Sequence, residues 1–103
     1  MQNMTYAKKV DKNQASVVKE LRNYGADVFL LHTVGGGIPD LLICYADQTI
    51  LMEVKDGADK LLTPLQIKLF AGWKGGHLHR VNSVQEAIEV LKLVEQENEY
   101  AAS

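Results

Sequence analysis

Two short apolar runs, Leu41-Leu42-Ile43-Cys44-Tyr45 and Thr49-Ile50-Leu51-Met52-Glu53-Val54-Lys55, are separated only by Ala46-Asp47-Gln48. Apolar and β-branched residues on either side of so short a polar break have the composition of a strand, a tight turn and a returning strand. An antiparallel hairpin is therefore expected. Its faces are otherwise apolar, with Leu42, Cys44 and Leu51 on one and Leu41, Ile43, Ile50 and Val54 on the other. A hairpin of this kind belongs in a sheet covered on both sides.

Three charges interrupt that pattern: Asp40, which follows Pro39, and then Glu53 and Lys55. Side chains alternate along a strand, so Glu53 and Lys55 share one face. If Ala46 pairs with Thr49, Leu42 lies opposite Glu53 and Asp40 opposite Lys55, and all three charges point the same way. A slip of one residue would move Asp40 to the other face. Charges in a covered strand are costly unless they are paired or bind metal. The plain alternative is an exposed Glu53–Lys55 pair at a strand end and a turn aspartate after Pro39.

A hard cation such as Mg²⁺ takes oxygen ligands, typically one or two carboxylates with water and substrate phosphate. Asp40 and Glu53 supply such a pair, and the peptide carbonyl of Val54 adds a third protein oxygen. Lys55 beside them would orient or deprotonate an attacking water and offset charge building on a phosphate. The chemistry expected of this set is phosphodiester hydrolysis by a metal-activated water, without a covalent intermediate.

The residues that carry this pattern, Gly35-Gly36-Gly37-Ile38-Pro39-Asp40-Leu41-Leu42-Ile43, Glu53-Val54-Lys55 and Lys60-Leu61-Leu62-Thr63-Pro64-Leu65-Gln66, resemble the VRR-NUC (virus-type replication-repair nuclease) branch of the PD-(D/E)xK nucleases. The resemblance runs from about Gln14 to Leu91. It implies a Mg²⁺- or Mn²⁺-dependent DNA endonuclease, of the stand-alone phage type, acting as a homodimer on branched DNA such as Holliday junctions. It also implies a place for Gln66 next to the water or the scissile phosphate. One departure stands out: the glutamate that this family usually carries early in its first helix falls on Gln14, which can hydrogen-bond a metal-bound water but adds no charge. Glu20 lies about 120° from Gln14 on a helical wheel and is no obvious substitute.

The 103 residues, 47% of them hydrophobic, suit one domain with a modest core. No apolar run reaches the length of a membrane span, and Met1-Gln2-Asn3-Met4 opens no signal-peptide stretch, so a cytoplasmic protein without membrane contact is expected. A single cysteine, Cys44, excludes an intrachain disulfide or a thiolate cluster and reads as a small core residue. The net charge of −2 weighs against nucleic-acid binding through bulk charge. Local basic surface remains available from Lys8, Lys9, Lys12, Lys19 and Arg22 and from Lys60, Lys68, Lys74 and Arg80, with acid concentrated at Glu95, Glu97 and Glu99. In a homodimer two such surfaces would add.

Asp11-Lys12-Asn13-Gln14 offers N-cap chemistry for a first helix carrying Val17, Val18, Leu21 and Tyr24 and stopped by Gly25. A first strand is expected over Asp27–Val34, ending in Gly35-Gly36-Gly37, which form a flexible turn, let a DNA strand approach closely, or bend the loop sharply to present Asp40. Thr63 and Pro64 open a second helix with the stripe Leu65, Leu69, Phe70 and Trp73, expected as core or dimer contact. His77, His79 and Arg80 lead into a strand from Leu78 to Val81, with His77 and His79 on one face, and His79 or Arg80 is a candidate for contact with a DNA phosphate. Ser83 caps a last helix with Ala87, Ile88, Leu91 and Val94, and the tail from Asn98 should fray. The order α-β-β-β-α-β-α describes a compact α/β domain, a restriction-endonuclease-like core in which helices flank a central mixed sheet. Two other readings stay open: a nuclease-fold module that binds DNA junctions or a protein without cutting, and a nuclease for flaps or nicked duplexes.

Overall fold

In the computed structural model, which describes residues 10–102, the elements run α1 (Gln14–Tyr24), β1 (Asp27–Leu30), β2 (Leu41–Tyr45), β3 (Gln48–Val54), α2 (Pro64–Gly72), β4 (His77–Val81) and α3 (Val84–Ala102). They build a four-stranded mixed sheet of order β1-β2-β3-β4, antiparallel up to β3 and parallel between β3 and β4. The parallel step needs a crossover, which α2 and its flanking loops supply.

Ala46 and Asp47 close the hairpin as a two-residue turn with φ of 50° and 64°. Positive φ at both central residues gives the primed turn whose twist matches the strands it joins. Tyr45 therefore pairs with Gln48 and Leu42 with Leu51. The pairing of Ala46 with Thr49 is corrected by two residues, an even shift that keeps every side chain on its expected face.

One face of the sheet carries Val28, Leu41, Ile43, Ile50, Met52, Val54 and Val81, each no more than 4% exposed. Val17 and Leu21 of α1 and Ala87, Leu91 and Val94 of α3 pack against it in one core. Truncating Leu21, Ile43, Ile50 or Leu91 to alanine costs about 2–5 kcal/mol at such sites. The 3.6-residue spacing of these helix positions explains why α1 and α3 present them together. At Gly25, φ of 115° ends α1, with the Gly25 N–H donating to the Arg22 carbonyl and Ala26 N–H to Leu21.

Three expectations about the elements change. β1 ends at Leu30 instead of Val34: the bond from Leu31 N–H to the Asp40 carbonyl at 2.7 Å is the last in the register, and Val34 N–H then turns back to the Leu31 carbonyl at 2.9 Å. The last helix continues to Ala102, so helix replaces the frayed tail expected from Asn98. In α2 the buried residue is Gln66, while Leu65 is exposed and Leu69, Phe70 and Trp73 are half-buried, so the apolar stripe contributes no core. Cys44 is likewise half-buried, on the face opposite the core.

Candidate active site

Glu53 and Lys55 alternate with Met52 and Val54 and so project from the face opposite the core. Carried two positions beyond Leu42–Leu51, the register places Asp40 across from Glu53, not across from Lys55. Asp40 and Glu53 are each 2% exposed, and the Lys55 side chain is 11% exposed. The Lys55 Nζ lies 3.6 Å from Glu53 Oε2.

Each member of the set is oriented by the chain around it. Val54 N–H donates to Asp40 Oδ2 at 2.8 Å. Amide and carbonyl of one strand residue point to the same side, so the Val54 carbonyl is directed toward the Asp40 side of β3. Lys55 N–H turns the other way, to the Val81 carbonyl of β4 at 2.9 Å. Gln66 Nε2 donates to Glu53 Oε2 at 3.0 Å, and its Oε1 accepts Thr63 N–H at 2.8 Å while Thr63 Oγ1 accepts Gln66 N–H at 3.2 Å. Gln66 is thus both the third residue of a capping box and the neutral partner of a buried carboxylate. The spacing Thr63-x-x-Gln66 is the sequence signal for the box; nothing in sequence marks the bond to Glu53.

Gln14 occupies the first turn of α1 and is 4% exposed. Its Oε1 has no hydrogen-bond partner among the described residues, and His32 Nδ1 is in the same state. Both line a recess of about 610 Å³ between α1 and the end of β1. The structure brings Asp40, Glu53, Lys55 and Gln66 together, and joins the start of α1 to them through the neighbours of Gln14. Asn13 Nδ2 donates to the carbonyls of Lys55 and Asn82, both at 3.1 Å, and Asp11 Oδ2 accepts Asp56 N–H at 2.5 Å. Asp11 and Asn13 were expected to cap α1, yet Asn13 makes no side-chain cap. Their side chains instead grip the carbonyl and the N–H of the peptide bond between Lys55 and Asp56, a role that local sequence does not reveal.

Arg80 is tied into the chain beside the site. Its guanidinium donates to the carbonyls of Gly57, Ala58 and Lys60 and to Asn82 Oδ1, which clasps the loop between Lys55 and α2. On β4, His77 Nδ1 and His79 Nε2 lie 3.1 Å apart, with His77 Nε2 2.8 Å from Glu97 Oε1. Burial, followed by repulsion from His77, pushes the His79 imidazole below its ordinary 6.5, with Glu97 acting against both. Lys8 and Lys9 of the expected basic surface lie outside the described residues.

Among the described residues no group of three or more His, Cys, Asp or Glu side chains is arranged to hold a metal ion. The donor set at this site is two carboxylates and a peptide carbonyl. Such an oxygen set fits Mg²⁺ or Mn²⁺, which retain several waters and take the rest from substrate. A buried amide oxygen without a partner at Gln14 fits a bound water as well. Among the described residues no helix is long and apolar enough to cross a membrane. Comparison of the chain with protein-family models, with curated proteins and with solved structures gives no match.

Proposed function

We propose that this chain is a Mg²⁺- or Mn²⁺-dependent endodeoxyribonuclease that hydrolyses phosphodiester bonds in branched DNA such as Holliday junctions, working as a homodimer. The observation that carries the reading is the convergence of buried Asp40 and Glu53 with Lys55 Nζ, 3.6 Å from Glu53, at one end of a strand pair. A structural ion pair alone has no need of the second carboxylate. The choice of branched DNA and of a dimer rests on the resemblance to the VRR-NUC nucleases.

Asp40, Glu53 and the Val54 carbonyl would hold the cation, which supplies Lewis-acid activation of a water and neutralises charge on the phosphate. Val54 N–H fixes Asp40 Oδ2, and Gln66 fixes Glu53 Oε2, so neither carboxylate has to reorganise when substrate arrives. The Lys55 ammonium balances Glu53 and donates a hydrogen bond to a phosphate oxygen as negative charge grows there. Gln14 Oε1, buried without a partner, would accept from a water in the recess between α1 and the end of β1.

A second reading has one observation in its favour: the acidic cluster holds two carboxylates, with an uncharged Gln14 on the first helix, which suits a module that binds junctions without cutting. Incubating the protein and Lys55→Ala with labelled four-way junction, flap, nicked and plain duplex DNA, in EDTA, Mg²⁺ or Mn²⁺, separates the readings. Cutting that requires both metal and Lys55 supports the nuclease and ranks its substrates. Tight junction binding with no cutting in any metal supports the binding module.

A further inference from the structure

The recess of about 610 Å³ between α1 and the end of β1 is filled, in the hydrolytic reading, with nothing but water. Asp40, Glu53 and Lys55 are not among the described residues that line it. Its volume falls in the range of small-ligand sites, about 300–1,000 Å³. Two polar atoms in its lining, Gln14 Oε1 and His32 Nδ1, are buried without a hydrogen-bond partner among the described residues, and Gln14 is 4% exposed. A buried acceptor left open costs about 1–3 kcal/mol. The backbone behind both is fixed. Asn13 is held to the Lys55 and Asn82 carbonyls, and Leu31 N–H to the Asp40 carbonyl, so neither Gln14 nor His32 can swing away to find a partner elsewhere.

Along α1 the lining changes character. Gln14, Val18 and Arg22 recur every four residues and so share one side of the helix. Val18, with Val10 and Leu30, supplies apolar wall between the amide at one end and the cations Lys19 and Arg22 toward the other. Both cations are exposed, and Arg22 spends one N–H on the Val28 carbonyl at 2.7 Å, which leaves the rest of its guanidinium free to donate. None of the described lining residues is acidic. The occupant that satisfies this lining has an uncharged edge with an N–H donor for Gln14, a body that tolerates aliphatic contact, and a negative group for Lys19 and Arg22. A rise of 1.5 Å per residue sets Arg22 about 12 Å from Gln14 along the helix axis. A bare phosphate cannot reach both ends, whereas a base joined through a sugar to a phosphate can.

We propose that this recess is a nucleotide-binding site, in which the Gln14 amide takes the edge of the base and Lys19 and Arg22 take the phosphate. A glutamine amide presents an acceptor and a donor side by side and pairs with adenine through both. Its buried oxygen, open in the free chain, is the acceptor for the exocyclic amino group. His32 Nδ1 offers a further bond to the base or sugar. The site is distinct from the carboxylates and holds a nucleotide that is not being cut, so it does not rest on the nuclease reading. Free mononucleotide and the terminal nucleotide of a DNA strand present the same base and phosphate.

The test titrates the full chain in EDTA with AMP, adenosine, ribose 5-phosphate and a 5′-phosphorylated single-stranded oligodeoxyadenylate, read by calorimetry and by NMR shifts of the backbone amides. The proposal expects AMP to bind and to shift the amides of Ala15, Val18, Lys19 and His32, with adenosine and ribose 5-phosphate each weaker by about tenfold. Lys19→Glu, at an exposed position, should weaken AMP by about tenfold and leave adenosine unchanged, whereas Gln14→Leu should weaken both; the exposed variant carries the test if Gln14→Leu does not fold. AMP binding of this kind assigns the site to free nucleotides. Binding of the oligonucleotide alone, with the same dependence on Lys19, assigns it to a strand end. Ribose 5-phosphate binding as tightly as AMP would make the recess a plain anion site and overturn the proposal. AMP or oligonucleotide binding that Lys19→Glu leaves unchanged would overturn it as well, as would the absence of any shift at those amides, which leaves the recess to water.

Discussion

Gln66 Nε2 donates a 3.0 Å hydrogen bond to Glu53 Oε2, and both side chains are 2% exposed. The same amide accepts from Thr63 N–H, so its orientation is set from both ends. Secondary structure and site are coupled through one side chain, because the amide that completes the capping box with Thr63 also holds the carboxylate. Gln66→Ala removes the side-chain half of the capping box, keeps the bond from the residue 66 N–H to Thr63 Oγ1, and leaves a buried carboxylate oxygen short of a donor. The expected loss is about 1–3 kcal/mol of stability, read from urea unfolding. Gln66→Glu puts a second carboxylate against Glu53 and raises the folded-state pKa of the pair above the ordinary value of about 4.3. Its deficit against wild type should widen as pH rises above that value and shrink on acidification.

The glycine loop makes a graded prediction. At Gly37 an added Cβ collides with the backbone of Leu65, whereas at Gly36 it meets open space. Gly36→Ala should cost about 1 kcal/mol, the penalty of left-handed φ alone. Gly37→Ala should cost more, because neither backbone can yield without moving α2. Thermal or urea unfolding of the two variants side by side checks the order, and equal losses would contradict the packing described.

Two pH effects follow from the other polar clusters. Tyr45 donates to Glu95 of α3, and that bond, with burial and the charges of Glu95 and Tyr24 behind it, pushes the Tyr45 phenol from 10.0 up to about 12. A folded pKa above the unfolded one contributes stability that is present below pH 10 and lost as pH climbs to about 12. Tyr45→Phe should flatten that alkaline slope and cost under about 1 kcal/mol near neutrality, since the pair is partly solvated. His79 behaves in the opposite sense. Its folded pKa lies below the unfolded value of 6.5, so stability is complete above 6.5 and falls as pH drops through the depressed value. Urea midpoints between pH 8 and 5 for wild type and His79→Gln should show the steeper acid loss in wild type.

Cation binding gives a readout independent of cutting. Mg²⁺ that binds only the folded chain adds about 2.7 kcal/mol at a hundred times its dissociation constant. Wild type should therefore unfold later in Mg²⁺ than in EDTA, and Asp40→Asn should show little or no shift. A shift that survives Asp40→Asn would place the cation elsewhere.

How far the chain could be read from its sequence depended on how local the cause was. The hairpin, α1 and α3 were legible because the alternation of Leu41–Tyr45 and the helical spacing of Val17, Leu21, Ala87 and Leu91 are local patterns tied to burial. The grouping of Asp40 with Glu53 and Lys55 survived a misplaced turn, since moving a two-residue turn by one position shifts the pairing by two residues and preserves parity. The turn itself was misread because Ala46 gives no sign that it adopts left-handed φ. The ends of β1, the exposure of Leu65 and the use of Asp11 and Asn13 by Asp56 and Lys55 were not legible. The contacts of Asn13 and Asp11 are made with partners 42 and 45 residues away, which local patterns do not show.

The central claim is that Asp40, Glu53 and Lys55 form a metal-dependent hydrolytic centre. It is tested most directly by the rate at which the purified chain cuts an end-labelled four-way junction as Mg²⁺ is titrated, with Lys55→Ala and Asp40→Asn in parallel. The account predicts a rate that saturates with Mg²⁺, is absent in EDTA, and falls by about 10²–10³-fold or more in both variants while their folds persist. Cutting that is unchanged in either folded variant, or no cutting by wild type with Mg²⁺ or Mn²⁺ on any branched DNA, would contradict it.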